Sequence, residues 1–199
     1  MNRRLLLGLP LLAAGCSVLP DRPFIESQRF TLSPRREGPP GRRLRHALLL
    51  RSMRAAPGME QRGLRRVRSE GRVEVAPYEE WLAPPGELAE LALRQWLVAS
   101  GRFTAVTAPG SRLATFLVLE TELVALQVEP DGARAAVAAL LLGQAEGLGD
   151  ARVLGQTLVE GRSPVALEAD APQRAGAMQA ALGQAFAQLE SWIVSNVSV

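Results

Sequence analysis

The sequence predicts an α+β domain in which a mostly antiparallel sheet carries two main helices on one face. Three observations lead there. Runs of β-branched and apolar residues cluster along the chain and are joined by connections of hairpin length. Two other segments, residues 86–100 and the stretch after Asp170, repeat their apolar residues at helical spacing. The order is strands, helix, a run of strands, then a closing helix, so the two types are segregated rather than alternating. A length of 199 residues suits one such domain with an appendage.

Residues 17–28 have no period and contain Pro20 and Pro23, which reads as an extended tether. Phe30-Thr31-Leu32 is a short strand, and residues 33–45, rich in Pro, Gly and Arg, are a solvated loop. Strands are expected over 47–53, 64–68 and 72–76, the last two framing a turn at Ser69-Glu70-Gly71. Residues 78–81 lead to Pro84-Pro85 and a helix over 86–100. Leu88, Leu91, Leu93, Trp96 and Leu97 form its apolar face, and Gly101 stops it. Residues 103–107 make a short strand ended by Pro109-Gly110. Residues 114–128 make the strongest strand, ended by the turn Pro130-Asp131-Gly132. For residues 133–145 the Ala and Leu content favours a helix. Their position between two turn clusters, with another strand at 152–161 to follow, favours a meander, and a strand is expected. Asp170-Ala171-Pro172 starts the last helix, whose stripe is Met178, Leu182, Ala185, Phe186, Leu189 and Ile193.

Composition removes several chemistries. All 23 basic residues are Arg, so there is no P-loop lysine, no Schiff-base lysine and no kinase-type lysine. The charge is divided along the chain: residues 1–72 hold 16 Arg against 5 acids, and residues 73–199 hold 7 Arg against 15. This division predicts a polarised molecule, basic side toward head groups and acidic side away from the membrane.

The N-terminus explains where a membrane comes in. Arg3 and Arg4 precede a ten-residue apolar run, residues 5–14, followed by Gly15. These are the parts of a secretory signal, and the run is half the length a spanning helix needs. Cys16, the only cysteine, comes directly after Ala13-Ala14-Gly15 and has neither a disulfide partner nor metal-site companions. The stretch LLAAGC resembles the lipobox of bacterial lipoproteins, with Ala13 where Leu is usual. That resemblance implies cleavage before Cys16 and acylation of it. Several acyl chains on one residue hold a protein on its membrane, whereas one binds only marginally. Ser17, rather than Asp, next to the cysteine implies sorting to the outer membrane. The expected organisation is a signal over 1–15, a tether over 16–29 and a domain over 30–199.

Candidate sites for chemistry are sparse. His46 has no His or Cys partner, and no catalytic serine elbow or zinc-protease motif occurs. The glycines at 143, 147 and 149 do not fit a dinucleotide fingerprint and read as a hairpin loop. Glu79 and Glu80 face opposite sides of a strand and cannot act as a pair. No catalytic residue, metal site or cofactor is expected. Tyr78 and Trp81 are candidates for contact with a partner or lipid; the competing reading is that they pack the following helix onto the sheet, as Trp usually does. Trp96 and Trp192 belong to helix faces in the core or at its rim. Residues 35–72 contain twelve Arg and only Glu37, Glu60 and Glu70 as acids. Charge of that kind can signal nucleic acid, but an exported protein does not meet it. Anionic head groups are the better partner for Arg35, Arg36, Arg42, Arg43 and Arg45, set against a merely solvated basic face.

Taken in order, the lipobox at Cys16, Phe30-Thr31-Leu32, Tyr78 and Trp81 before Pro84, the helix ending Ser100-Gly101-Arg102-Phe103, the meander and the terminal helix with Trp192 resemble the ABC-type transport auxiliary lipoprotein family. The paraquat-inducible lipoprotein C belongs to that family. Phe30 stands where Tyr is common in it. The resemblance implies an outer-membrane lipoprotein serving an MCE-type (mammalian cell entry) ABC transporter. Such systems move phospholipids or other hydrophobic molecules between the inner and outer membranes. The lipoprotein would dock the periplasmic MCE protein, with phospholipid as a further partner and a homo-oligomer compatible with the role. Two other readings stay open: an envelope scaffold or assembly lipoprotein that handles no lipid, and direct carriage of lipid in an apolar cavity.

Overall fold

The computed structural model describes residues 25–144 and 151–197. Among these residues nine strands form one mixed sheet and two helices cover it. In chain order these are β1 (Gln28–Phe30), β2 (Leu48–Leu50), β3 (Arg54–Ala55), β4 (Gly63–Val67), β5 (Val73–Trp81), α1 (Pro85–Ala99), β6 (Val106–Thr107), β7 (Leu117–Glu129), β8 (Gly132–Gly143), β9 (Arg152–Ser163) and α2 (Ala171–Val197). The α+β class and the mostly antiparallel sheet are as the sequence predicts.

β7 is the spine of the sheet. Along one edge it pairs antiparallel with β8, which pairs antiparallel with β9. Along its other edge β2, β3 and β4 line up one after another, each parallel to it, opposite Leu117–Leu119, Glu122–Leu123 and Val128. β6 flanks β2, and β5 and β1 extend the sheet beyond β4. The parallel pairings follow from the path of the chain. α1 carries it over the sheet between β5 and β6, so the early strands meet β7 from the far side of a crossover rather than through a hairpin.

Residues 133–143 are a strand despite their alanines. Ala133, Ala135, Val137, Ala139 and Leu141 are buried toward α2. The register joins Gly143 to Arg152; the hairpin loop expected at the glycines 143, 147 and 149 falls mostly on residues 145–150, outside the described residues. Gly71, at φ +81°, closes the β4–β5 hairpin. β5 runs through Pro77 to Trp81, further than the stretch 72–76 suggested. The proline is tolerated because it sits opposite the register shift between Gly63 and Arg65 of β4.

Both helices pack on the same face, and Trp96 of α1 meets Phe186 of α2 edge to face, with ring centroids 5.7 Å apart. The full α2 stripe, from Met178 to Ile193, is buried. Asp170 caps α2 by accepting the Gln173 amide at 2.8 Å. The buried face of α1 is rotated from the expected one. Ala89 and Ala92 join Leu93, Trp96 and Leu97 inside, while Leu91 is 49% exposed. The expected strand at 103–107 shrinks to Val106–Thr107, and Phe103 enters the core as a loop residue. Among the described residues, the buried apolar side chains lie between Leu32 and Ile193 and form one continuous core.

Candidate interaction surfaces

Tyr78 and Trp81 do not form one contact surface. Three residues apart on β5, they project from opposite faces. Trp81 is 1% exposed and packs beneath the helices, so the packing explanation holds for it; Tyr78 is 44% exposed on the open side of the sheet. Glu79 and Glu80 diverge in the same way: Glu79 pairs with the buried Arg174 of α2, and Glu80 bonds Arg29 and Arg62.

The arginines of the first half are largely occupied by carboxylates of the second. Arg51 meets Glu120 at 2.7 Å, Arg54 meets Glu122 at 3.6 Å, and Arg66 and Arg68 share Glu74 and Glu168. Because β2, β3 and β4 dock on β7 and β5, the basic and acidic halves interleave strand by strand. The expected separation into a basic side and an acidic side is therefore not what the fold makes. These pairs hold the Glu74 and Glu80 carboxyls below the ordinary carboxylate range, through hydrogen bonds from Arg68 and from Arg29 and Arg62.

Arg36 departs from its expected role as well. Its guanidinium forks onto Glu190 of α2 at 2.9 and 3.0 Å, with the pair 14% and 9% exposed at the side chains. Trp96 Nε1 donates to the same carboxylate at 2.9 Å, and Arg102 stands 3.5 Å away. Burial alone would raise the Glu190 carboxyl, but the bonds from Arg36 and Trp96 outweigh it and the group is held low. Arg36 thus fastens the arm of residues 33–45 to both helices and offers nothing to a head group. Arg35 is exposed and lines a groove of about 560 Å³ between that arm and the outer side of α2, with Pro34, Trp96, Gly176 and Gly183.

Arg42, Arg43 and Arg45 behave differently. All three are exposed and none has a carboxylate partner among the described residues; Arg43 donates to the Thr104 carbonyl at 3.1 Å. They lie just before β2, hence at the β7 N-terminal end of the sheet. With His46, Arg102 and Val197 near the end of α2, they surround a hollow of about 370 Å³. His46 stacks on Phe116 at 4.6 Å. Leu113 and Phe116, on the loop leading into β7, are 51% and 40% exposed beside Arg112. Sequence reasoning passed over these last three residues. The signal available was the absence of any Asp or Glu from residue 101 to residue 119.

Cys16 lies outside the described residues. Residues 30–194 match the model of the ABC-type transport auxiliary lipoprotein component family. The chain belongs to that family. The match starts in β1 and ends in α2, so it takes in the whole folded unit and bears out the resemblance read from the sequence. Members are lipoprotein components of ABC-type transport, which puts the chain at a membrane of the cell envelope in association with such a system. No curated protein matches the chain. Among solved structures, protein XCC0632 from Xanthomonas campestris, of the DUF330 family, superposes with a TM-score of 0.69 at 18% identity, covering 84% of this chain and 95% of that one. An uncharacterized protein gives 0.61 at 12% identity, covering 85% and 99%. The hypothetical protein CT253 from Chlamydia trachomatis gives 0.57 at 8%, covering 77% and 98%. At these identities the likeness is one of fold.

Proposed function

We propose that the chain is an outer-membrane lipoprotein, acylated at Cys16 after removal of residues 1–15, that docks the periplasmic MCE protein of an ABC transporter. The transporter would move phospholipids or other hydrophobic molecules between the inner and outer membranes. The observation that carries this reading is the family match over residues 30–194. The lipobox-like LLAAGC and the following Ser17 support the anchor and its membrane. The role is one of binding rather than catalysis, and a chain without lysine cannot supply the P-loop of the system's ATPase. Of Tyr78 and Trp81, Tyr78 is the one exposed to a partner.

Two experiments test the reading. Tagged mature protein is purified from membranes under conditions that preserve membrane complexes; the MCE component is expected to come with it, and its absence would sink the docking role. Cys16→Ser is expected to release the chain from the membrane. A variant that stays membrane-bound and is processed as before would remove the lipid anchor from the account.

A further inference from the structure

We infer that the end of the molecule around Arg42, Arg43 and Arg45 is a contact surface for anionic phospholipid head groups, with Leu113 and Phe116 entering the head-group layer beside them. Most arginines of the strands pair with a carboxylate, Arg65 and Arg152 being exceptions, whereas Arg42, Arg43 and Arg45 gather three exposed guanidinium groups without a carboxylate partner among the described residues. Among the described residues, the segments that build the end, 38–50, 101–117 and 191–197, contain no Asp or Glu and so add no repulsion toward an anionic surface; Glu146 and Asp150, between β8 and β9 in the sequence, lie outside the described residues. Guanidinium forks donate to two phosphodiester oxygens at a time. The hollow of about 370 Å³ beside them offers Val194 and Val197 to the first methylenes below a head group. Exposed Leu and Phe between arginines are the composition of surfaces that lie in a bilayer interface.

A membrane is the occupant to which the arrangement commits, because membership in a lipoprotein family keeps one within reach. The chain enters the domain at β1, beside the part of the sheet near the C-terminal end of β7, so the arginine end lies at most about the length of β7, roughly 43 Å, from the entry. The twelve residue steps from Cys16 to Gln28 extend to roughly 40 Å, close to that upper bound, so the domain can turn that end toward the bilayer. This inference rests on the lipoprotein character of the family and not on docking of an MCE protein. Failure of the co-purification would leave it standing.

The test is sedimentation of residues 25–199, which contain the core of the described residues and the family-matched segment but no lipid, with vesicles of phosphatidylcholine alone or with phosphatidylglycerol added. Binding is expected only to the anionic vesicles and is expected to weaken as salt is raised. Replacing Arg42, Arg43 and Arg45 together by Ala should lower the partition coefficient on the order of 100-fold, from the usual attraction per basic residue at an anionic surface. Leu113→Gln should lower it several-fold with charge unchanged. Arg54→Ala, which removes an arginine from the open sheet face, should leave it as it was, and circular dichroism checks that each variant is folded. Equal binding to both vesicle types, a triple variant that binds like the parent, or a Leu113→Gln variant that does so, would overturn the inference. So would absence of vesicle binding combined with loss of a co-purifying protein partner in the triple variant, which would make this end a protein-docking face.

Discussion

Glu190 is where the two helices and the arm before β2 converge. Its carboxylate takes the Arg36 fork and the Trp96 indole at once, and it is 7% exposed. A charge so placed is tolerable only while it is paired, and removing one partner of a buried pair costs about 3–5 kcal/mol because the other is left uncompensated. Arg102, 3.5 Å from Glu190, retains part of the compensation. Arg36→Ala is therefore expected to destabilise the fold by about 3 kcal/mol, read from the urea midpoint. Glu190→Gln, which keeps the size and part of the hydrogen bonding, should cost less. If Arg36→Ala is neutral, the arm is not fastened through this pair. Nothing in the sequence linked Arg36 to Glu190, because the two stand 154 residues apart and Arg36 looks like any other member of a basic loop.

At the scale of elements, α2 lies directly on β8 and β9, and small residues make this approach feasible. A Cβ on Gly161 would stand 1.9 Å from the Ala181 carbonyl oxygen, and one on Gly155 would stand 2.9 Å from the Trp192 ring. The alanines of β8 that look helical in composition are the floor under this helix. Gly161→Ala must push the helix backbone away, and is expected to cost about 1–3 kcal/mol, the usual range for overpacking. Thermal unfolding of the folded variant measures it, and an unchanged midpoint would mean that α2 sits farther from β9 than described. The sequence of α1 offers Leu91 for the core, but Leu91 stays exposed, while the small Ala89 and Ala92 are buried and Leu88 packs at the core's edge.

For the whole molecule the governing feature is charge mixing. Glu74, Glu80 and Glu160 titrate low chiefly through hydrogen bonds from Arg68, Arg29 and Arg134, and Glu190 titrates low despite its burial. Each holds its proton less tightly folded than unfolded, so below the usual 4.5 the unfolded chain takes up more protons. The stability these groups contribute is complete above that pH and is lost as the pH falls through their folded values. A urea midpoint that is level from about pH 7 to pH 5 and drops by about pH 3 is the expected outcome; a midpoint as high at pH 3 as at pH 7 would show that these pairs contribute nothing.

The sequence by itself determined the helices, the long meander and the family, since each depends on local periodicity, turn chemistry or the order of short motifs. Asp170 before a clean stripe marks a helix start, and the apolar, β-branched run over residues 114–128 marks a strand. The tertiary structure alone decided the parallel docking of β2, β3 and β4 on β7, the burial of Trp81 against the exposure of Tyr78, and the fate of the arginines. The physical reason is distance along the chain. A charge count knows only which residues are neighbours in sequence, whereas an ion pair needs a carboxylate within a few ångströms in space. The crossover through α1 brings Glu120, Glu122 and Glu168 to Arg51, Arg54, Arg66 and Arg68. The pairing of β5 with β1 and β4 brings Glu80 and Glu74 to Arg29, Arg62, Arg66 and Arg68, and Arg42, Arg43 and Arg45 at the end of the sheet meet no carboxylate among the described residues.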